Sequence, residues 1–269
     1  MDDLAGRIAV VTGGGEGIGR GIAHALAGAG ARVAIVDIDG DAAERVAREL
    51  EGSRAFVADV SKLDAMTALA DEVERELGPV TVLCNNAGVM LDGSLVDAPL
   101  SDWQWVLGVN LLGVVHGVEA FVPRIRANGG GHVVNTGSMA GLAPRLGSSL
   151  GIYSASKAAV VSFSEMLRAV LAPQGIGVSV LCPSTVETRI WEADRNRPSE
   201  LGAGRAVPKP ERAAGAIGGM DVGPLVVRGI LENRAYIFTS DDVRPRIEQR
   251  NATVFADVAA HEAESASIG

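Results

Sequence analysis

The sequence predicts an α/β fold: one parallel sheet of about seven strands, doubly wound so that helices cover both faces. Short apolar runs rich in β-branched residues alternate with amphipathic helical stretches along most of the 269 residues. Hydrophobic side chains make up 47% of the chain and charged ones 21%, enough apolar mass for a sizeable core. No fixed-period repeat and no Ser, Gly or Pro linker divides it, so residues 1–269 are expected to form a single domain.

RIAVVT leads into a helix from Ile18 to Ala29, RVAIVD into one from Asp41 to Glu51, and RAFVAD into one from Lys62 to Leu77, after which VTVLCN follows. These runs are apolar almost throughout, as strands buried on both faces must be. The second half continues with a long helix around Trp105 to Ala127, the strand HVVNTG, a helix from Tyr153 to Leu171 and the strand VSVLC. Pro224 to Asn233 reads as a last helix and AYIFT as a last strand. Pro183 to Met220 is the one long irregular stretch and holds Trp191, four arginines before Pro208 and a Pro-Lys-Pro. So long a loop inside an α/β body marks a lid or substrate loop, set at about 184–221. The polar tail, about 241–269, is expected to be a helix with a frayed end.

With 24 Lys plus Arg against 33 Asp plus Glu the formal charge is -9, which repels phosphate backbones and anionic lipid. Nucleic acid and membrane surfaces are therefore disfavoured partners. Cys84 and Cys182 sit in the apolar runs VTVLC and VSVLC and are expected to be free core thiols, which suits a reducing cytoplasm. The acidic start MDDLAGRIAVV lacks the marks of a signal peptide, and the best apolar stretch, Gly108 to Pro123, is short for a span and carries His116 and Glu119. His24, His116, His132 and His261 show no ligand spacing, so no metal is expected.

Thr12-Gly13-Gly14-Gly15-Glu16-Gly17-Ile18-Gly19 lies where the first strand ends and the first helix begins. Its amides and the helix N-terminus are placed to meet a pyrophosphate, and side chains would block that approach. The pattern is T-G-x-x-x-G-x-G, not G-x-G-x-x-G, because position 18 is isoleucine. Asp37 ends the second strand 24 residues after Gly13, where a carboxylate can accept from both ribose hydroxyls of an adenosine. That carboxylate would repel a 2'-phosphate. Glu16 adds a second negative charge near the same end, and no Arg or Lys follows Asp37 immediately, so the residues read as NAD over NADP.

Tyr153 and Lys157 are four apart in a helical stretch and share one face. A phenol with an ordinary pKa near 10 needs its phenolate stabilised before it can act as a base at neutral pH, and a cation about 4 Å away can supply several kcal/mol at an effective dielectric constant of 20. Ser138 follows the strand HVVNTG at the carboxyl end of the sheet, where open α/β folds bind ligands, and can hold a carbonyl or alcohol oxygen beside the phenol. Asn110 is an awkward residue inside a helix and is expected to cap or bend it.

From Arg7 to Thr239 the sequence resembles the single-domain branch of the short-chain dehydrogenase/reductase family, whose fold is Rossmann-like. The motifs stand in the family's order: TGGGEGIG, Asp37, Asp59-Val60, Asn85-Asn86-Ala87-Gly88, Asn110, Ser138, then Tyr153 with Lys157. The resemblance implies that Tyr153 is the catalytic acid/base, that Lys157 binds the nicotinamide ribose and lowers the tyrosine pKa, that Ser138 orients the substrate oxygen, and that Asn110 holds a water in a proton relay. It implies a cofactor cleft made by Gly13, Gly15, Glu16, Gly17, Ile18, Gly19, Asp37, Ile38, Asp59, Val60, Asn86, Ala87, Gly88, Pro183, Ser184, Val186 and Thr188. The implied reaction is reversible hydride transfer between nicotinamide and a secondary alcohol or ketone. Dimers or tetramers through the two long helices are implied as well.

Three departures from the family pattern bear on the pocket. Pro183-Ser184 stands for Pro-Gly, the segment MAGLAPRLGSSLGI between Ser138 and Tyr153 is long, and Pro208 to Val222 is rich in Gly and Ala. Met139, Leu142, Leu146, Leu150 and Ile152 are expected around the reacting centre, with Ala140 beside Ser138 and Trp191 from the lid, which suits a bulky apolar, aromatic or cyclic alcohol. The same side chains would also serve to pack beneath the loop. Arg145, Arg189, Arg195 and Arg197 are candidates for a carboxylate or phosphate, or are solvated. The run from NLLGVVHGVEAFVPRI to GIGVSVLCPS is similar to a bacterial subgroup that oxidises aryl secondary alcohols, while related members act on steroids, cyclic alcohols and sugars. Two alternatives remain open: an NADP-dependent keto or acyl reductase, which would carry basic residues where Glu16 and Asp37 stand, and a catalytically silent nucleotide sensor.

Overall fold

Strands covered on both faces need apolar residues on both sides, and the computed structural model, which describes residues 1, 3–202 and 216–268, places them so. β1 (Ile8–Thr12), β2 (Arg32–Asp37), β3 (Arg54–Val57), β4 (Val80–Asn85), β5 (Gly131–Thr136) and β6 (Ile176–Cys182) belong to one sheet, while β7 (Val186–Glu187) and β8 (Ile217–Gly218) pair separately. With β9 (Tyr236–Phe238) the main sheet has seven strands in the order β3-β2-β1-β4-β5-β6-β9, all pairs parallel. The order reverses at β1, so the crevice between the carboxyl ends of β1 and β4 is the ligand position of such a sheet.

Alternate residues of each strand feed two cores. Ile8 and Val10 join the core under α3 (Leu63–Leu77), with Phe121 and Ile125 of a later helix. Ala9 and Val11 join Ile22 and Leu26 of α1 (Gly17–Gly28) and Val46 of α2 (Gly40–Glu49). The expected helix around Trp105 begins earlier and has three parts: α4 (Leu100–Leu107), a π turn at Gly108–Leu112 and α5 (Gly113–Ala127). The π turn contains Asn110, the residue expected to bend the helix. By length and composition this run could cross a membrane, with a mean hydropathy of 1.6 in its best window, yet half of that window is buried. Phe121, Ile125 and Ala120 spend its apolar face on the sheet, which is the behaviour of a core helix.

α6 (Met139–Leu142) is a single turn before α7 (Gly151–Leu171), and α8 (Gly219–Leu231) and α9 (Val243–Ile268) close the described chain. α8 begins five residues before the expected Pro224. The reason lies in packing: a Cβ on Gly21 would sit 2.0 Å from the Gly219 carbonyl oxygen, and one on Gly223 2.1 Å from that of Gly21. Glycines four apart on both helices let the backbones touch, which accounts for the glycines at the end of the Gly- and Ala-rich stretch. Of the expected lid at 184–221, residues 203–215 lie outside the described residues, with Arg205 and the Pro-Lys-Pro. The tail is helical as expected, anchored by Val243 and Ile247 against Met139 and Cys182. Cys84 and Cys182 are free and buried.

His132 in β5 is buried against Ser179, Nε2 to Oγ 2.8 Å, and burial lowers its pKa to about 3. Because the folded value lies below the ordinary 6.5, the unfolded chain binds the extra proton. The contribution is fully present above pH 6.5 and is lost as pH falls toward 3. Unfolding free energy should drop by about 2 kcal/mol more between pH 7 and pH 5 in wild type than in His132→Gln, as denaturant titrations at the two pH values would measure. Equal losses would remove His132 from the pH dependence.

Candidate active site

A cavity of about 510 Å³ opens at the carboxyl ends of the strands and runs from Asp37 and Ile38 past the glycine turn to Ser138, Tyr153 and Trp191. Gly13 and Gly17 hold the left-handed backbone at φ 63° and 53°, which only glycine adopts without strain. The turn is fastened from behind. Thr12 Oγ1 accepts from the amides of Asn86 and Ala87 at 2.9 and 3.1 Å, and the Asn86 amide group donates to the Thr12 and Gly13 carbonyls at 3.0 and 3.3 Å. A Cβ on Gly19 would meet the Gly13 oxygen at 1.9 Å, so the helix N-terminus can close on the turn only as glycine.

Of the expected cleft residues, Gly13, Glu16, Gly17, Ile18, Asp37, Ile38, Asp59, Val60, Asn86, Ala87, Gly88, Pro183, Ser184, Val186 and Thr188 line the cavity. Gly15 and Gly19 do not. Gly15 packs on Ala42 and donates its amide to Asp37 Oδ2 at 3.0 Å, so both glycines shape the turn from outside the cavity. Asp37 also accepts from the Asp39 amide at 3.1 Å. Burial raises its pKa, opposed by these backbone donors. Ser184, in place of the family's glycine, takes no left-handed backbone, and its amide donates to Thr239 Oγ1 at 3.0 Å. The substitution therefore leaves the turn unstrained.

Glu16 corrects the sequence reading. Its carboxylate is paired with Arg189 at 2.7 Å and Arg195 at 3.0 Å, arginines from the loop after β7. Two cations offset its charge, so Glu16 does not act as a second negative group against a 2'-phosphate. It ties the glycine turn to the loop, and the NAD argument rests on Asp37 alone. Arg189 and Arg195 are thereby engaged, and Arg197 is buried on Asp102 at 2.8 Å with its guanidinium 5.2 Å from the Trp105 ring centroid. It serves as an anchor for the loop.

Ser138 is the N-cap of α6 and accepts from the Ala140 amide at 3.0 Å, which fixes its hydroxyl. Ser138 and Tyr153 both line the cavity. Burial raises the phenol's pKa and the neighbouring Ser138 hydroxyl lowers it. Lys157, one turn along α7, donates to the Thr136 carbonyl at 2.6 Å, and burial pushes its pKa down to about 8. Its ammonium stands 5.9 Å from the Tyr153 ring centroid. Met90, Ala140, Leu150, Ile190 and Trp191 pack around Tyr153.

Asn110 lies outside the cavity wall, fully buried, with its side chain committed. Oδ1 accepts from the Val89 amide at 2.8 Å, and Nδ2 donates to the Val89 carbonyl at 2.9 Å and to Ser156 Oγ at 3.0 Å. Ser156 in turn donates to the Tyr153 carbonyl at 2.7 Å. Through these bonds Asn110 positions the α7 turn that carries Tyr153. Ser156 was not singled out in the sequence, although its place between Tyr153 and Lys157 was the available signal.

The substrate wall differs from expectation in part. Met139, Ala140, Leu150 and Trp191 line the cavity, as expected. Leu146 is 95% exposed, Leu142 packs with Val243 and Cys182, and Ile152 joins Val89, Leu91 and Trp105. The long segment turns at Gly147, φ 80°, and returns where the Gly93 amide donates to the Ser149 carbonyl at 2.9 Å; Leu146 points outward, while Arg145, Ser148 and Leu150 face the cavity. Met90 and Arg246 are wall residues that sequence reasoning missed. Arg246 lies in a polar tail with no local pattern to mark it. Among the described residues no group of histidine, cysteine or acidic side chains could hold a metal.

The short chain dehydrogenase family model matches residues 7–199. A Cα-dehydrogenase of Sphingobium sp. (strain NBRC 103272 / SYK-6) is 35% identical over 98% of this chain and 90% of its own length. A 1-deoxy-11-beta-hydroxypentalenate dehydrogenase of Streptomyces exfoliatus is 35% identical over 96% of this chain and 90% of its own length. Among solved structures, a short chain dehydrogenase/reductase from Burkholderia phymatum in complex with NAD superposes with a TM-score of 0.87 at 36% identity, covering 96% of this chain and 97% of that one. The seven-stranded parallel sheet agrees with these likenesses, and the chain belongs to the short-chain dehydrogenase/reductase family of oxidoreductases.

Proposed function

We propose that this protein transfers a hydride between NAD(H) and a bulky, mainly apolar secondary alcohol or ketone, with Tyr153 as general acid and base. The observation that carries the reading is that Ser138, Tyr153 and Lys157 line the same cavity that begins at Asp37 and the glycine turn. The cradle fits a dinucleotide: left-handed Gly13 and Gly17 leave the turn free of side chains, and the Asp37 carboxylate waits at the ribose end. Bound nicotinamide supplies the hydride donor or acceptor. Gly13, Gly17, Ile18, Asp37, Asn86 and Thr188 would hold it, and Asp37 disfavours a 2'-phosphate. The NAD bound to the Burkholderia phymatum relative and the hydroxypentalenate dehydrogenase name support the cofactor and an alcohol substrate.

The Ser138 hydroxyl holds the reacting oxygen, while the Tyr153 phenol gives its proton to a ketone or, as phenolate, takes one from an alcohol. Lys157 is held by Thr136 near the phenol, where its positive form favours the phenolate. Asn110 and Ser156 position the turn. Because burial raises the phenol's pKa, the proton-donating form prevails at neutral pH. Ketone reduction should be nearly flat from pH 6 to 8, while alcohol oxidation should climb toward about ten-fold per pH unit in the same range.

The test is calorimetric titration with NAD and, separately, NADP, followed by initial rates on aryl and cyclic alcohols and ketones across pH. Tight NAD binding with this asymmetry is expected; binding without turnover, or preference for NADP, would contradict the proposal. We place the protein in a reducing cytoplasm, consistent with two buried free thiols. Self-association through the two long helices is supported by exposed Leu112, Met166 and Val170.

A further inference from the structure

Four arginines stand on the cavity wall, and they fall into two pairs. Arg189 and Arg195 are both engaged by Glu16. Arg145 and Arg246 are not engaged in this way: among the described residues neither has a carboxylate within ion-pair distance. They come from segments far apart in sequence, Arg145 from the long loop before α7 and Arg246 from the first turns of α9. Arg246 donates to the Ala143 carbonyl at 2.9 Å, which seats α9 against the root of that loop. Its burial and the like charge of Arg145 both lower its pKa, and Asp242, which accepts from Ser240, is the acid that opposes them. Both arginines stand on the cavity wall, near enough that the charge of Arg145 acts on Arg246, an arrangement that an incoming oxyanion would relieve.

The same cavity carries an apolar cluster, Met90, Leu150, Ile190 and Trp191 around Tyr153. We infer that Arg145 and Arg246 form an anion subsite, and that the substrate is an apolar secondary alcohol or ketone bearing an oxyanion, carboxylate or phosphate, at the end away from the reacting carbon. This rests on the dehydrogenase reading above and deepens it. Met90, Leu150, Ile190 and Trp191 bury the body of the molecule, Ser138 and Tyr153 take its oxygen, and the two guanidiniums fix its direction in the cavity. A neutral analogue of the same shape keeps the first two interactions and loses the third.

The probes are 4-acetylbenzoate, its methyl ester and 4-acetylphenyl phosphate, each reduced with NADH by wild type, Arg145→Gln, Arg246→Lys and Arg145→Gln/Arg246→Gln. Binding of 4-acetylbenzoate to the NAD-loaded protein is measured calorimetrically in parallel. Wild type should show a KM at least ~10-fold lower for one of the two anions than for the ester, and whichever anion wins identifies the group. The double variant should raise that KM ~10-fold or more, with kcat and the ester's KM unchanged, while Arg246→Lys keeps part of the preference. Equal KM values for anions and ester in wild type, or variants that shift all three substrates alike, would overturn the subsite. Arg145→Gln removes an exposed side chain and keeps the test valid should the Arg246 variants unfold. Failure to reduce even the ester with either nicotinamide would count against the dehydrogenase reading, and the calorimetric arm would then decide the subsite by itself.

Discussion

Tyr153→Phe is expected to lower kcat by ~10³-fold or more and to leave NAD affinity within about two-fold. The substitution removes one oxygen and keeps the ring that Met90, Leu150, Ile190 and Trp191 pack against, so the pocket's shape survives. What disappears is the hydroxyl that moves the proton beside Ser138. Ser138 remains fixed by the Ala140 amide, so the variant still binds an oxygen but has no partner to exchange its proton. Hydride transfer to a ketone would then have to form an unprotonated alkoxide in a buried site, the step that general acid catalysis avoids. Rates under cofactor saturation, with NAD binding measured alongside, check this. A kcat within ten-fold of wild type would take Tyr153 out of the chemistry.

Asp37→Ala should weaken NAD binding by ~10- to 100-fold while changing NADP binding much less. Two losses combine. On the proposed reading the ribose hydroxyls lose a charged acceptor, and the Gly15 amide, 3.0 Å from Oδ2, loses the partner that holds the glycine turn against β2. Asp37→Asn separates these, because it keeps an oxygen for Gly15 yet removes the charge that repels a 2'-phosphate. It should therefore narrow the gap between the two cofactors with less harm to the turn. Glu16→Gln should narrow it little, since Arg189 and Arg195 already offset that carboxylate. If Glu16→Gln proved the stronger determinant of cofactor choice, the assignment to Asp37 would be wrong.

The sheet was legible because its strands are apolar on both faces, and Tyr153 with Lys157 was legible because helical spacing puts i and i+4 together. Asp37 followed from its place at a strand end. Glu16 was misread because its partners lie 173 and 179 residues away, and no local pattern announces such a pair. Asn110 was rightly seen as disruptive in a helix; its disruption is a π turn, and its amide group donates to Val89 and Ser156. The apolar residues between Ser138 and Tyr153 looked equivalent in sequence. The loop at Gly147 turns Leu146 out and leaves Leu150 facing in, a distinction that only the backbone path makes. Arg246 was hidden for a similar reason, since a tail residue reaches the cavity only through the docking of α9.

The most direct test of the central claim uses NADH deuterated at C4, an aryl ketone and mass spectrometry of the product alcohol. The account predicts that wild type places one deuterium on the carbinol carbon when the transferred face carries the label, and that Tyr153→Phe yields almost none in the same time. Alcohol formed without deuterium from either face, or no alcohol with NADH across a broad ketone panel, would contradict it.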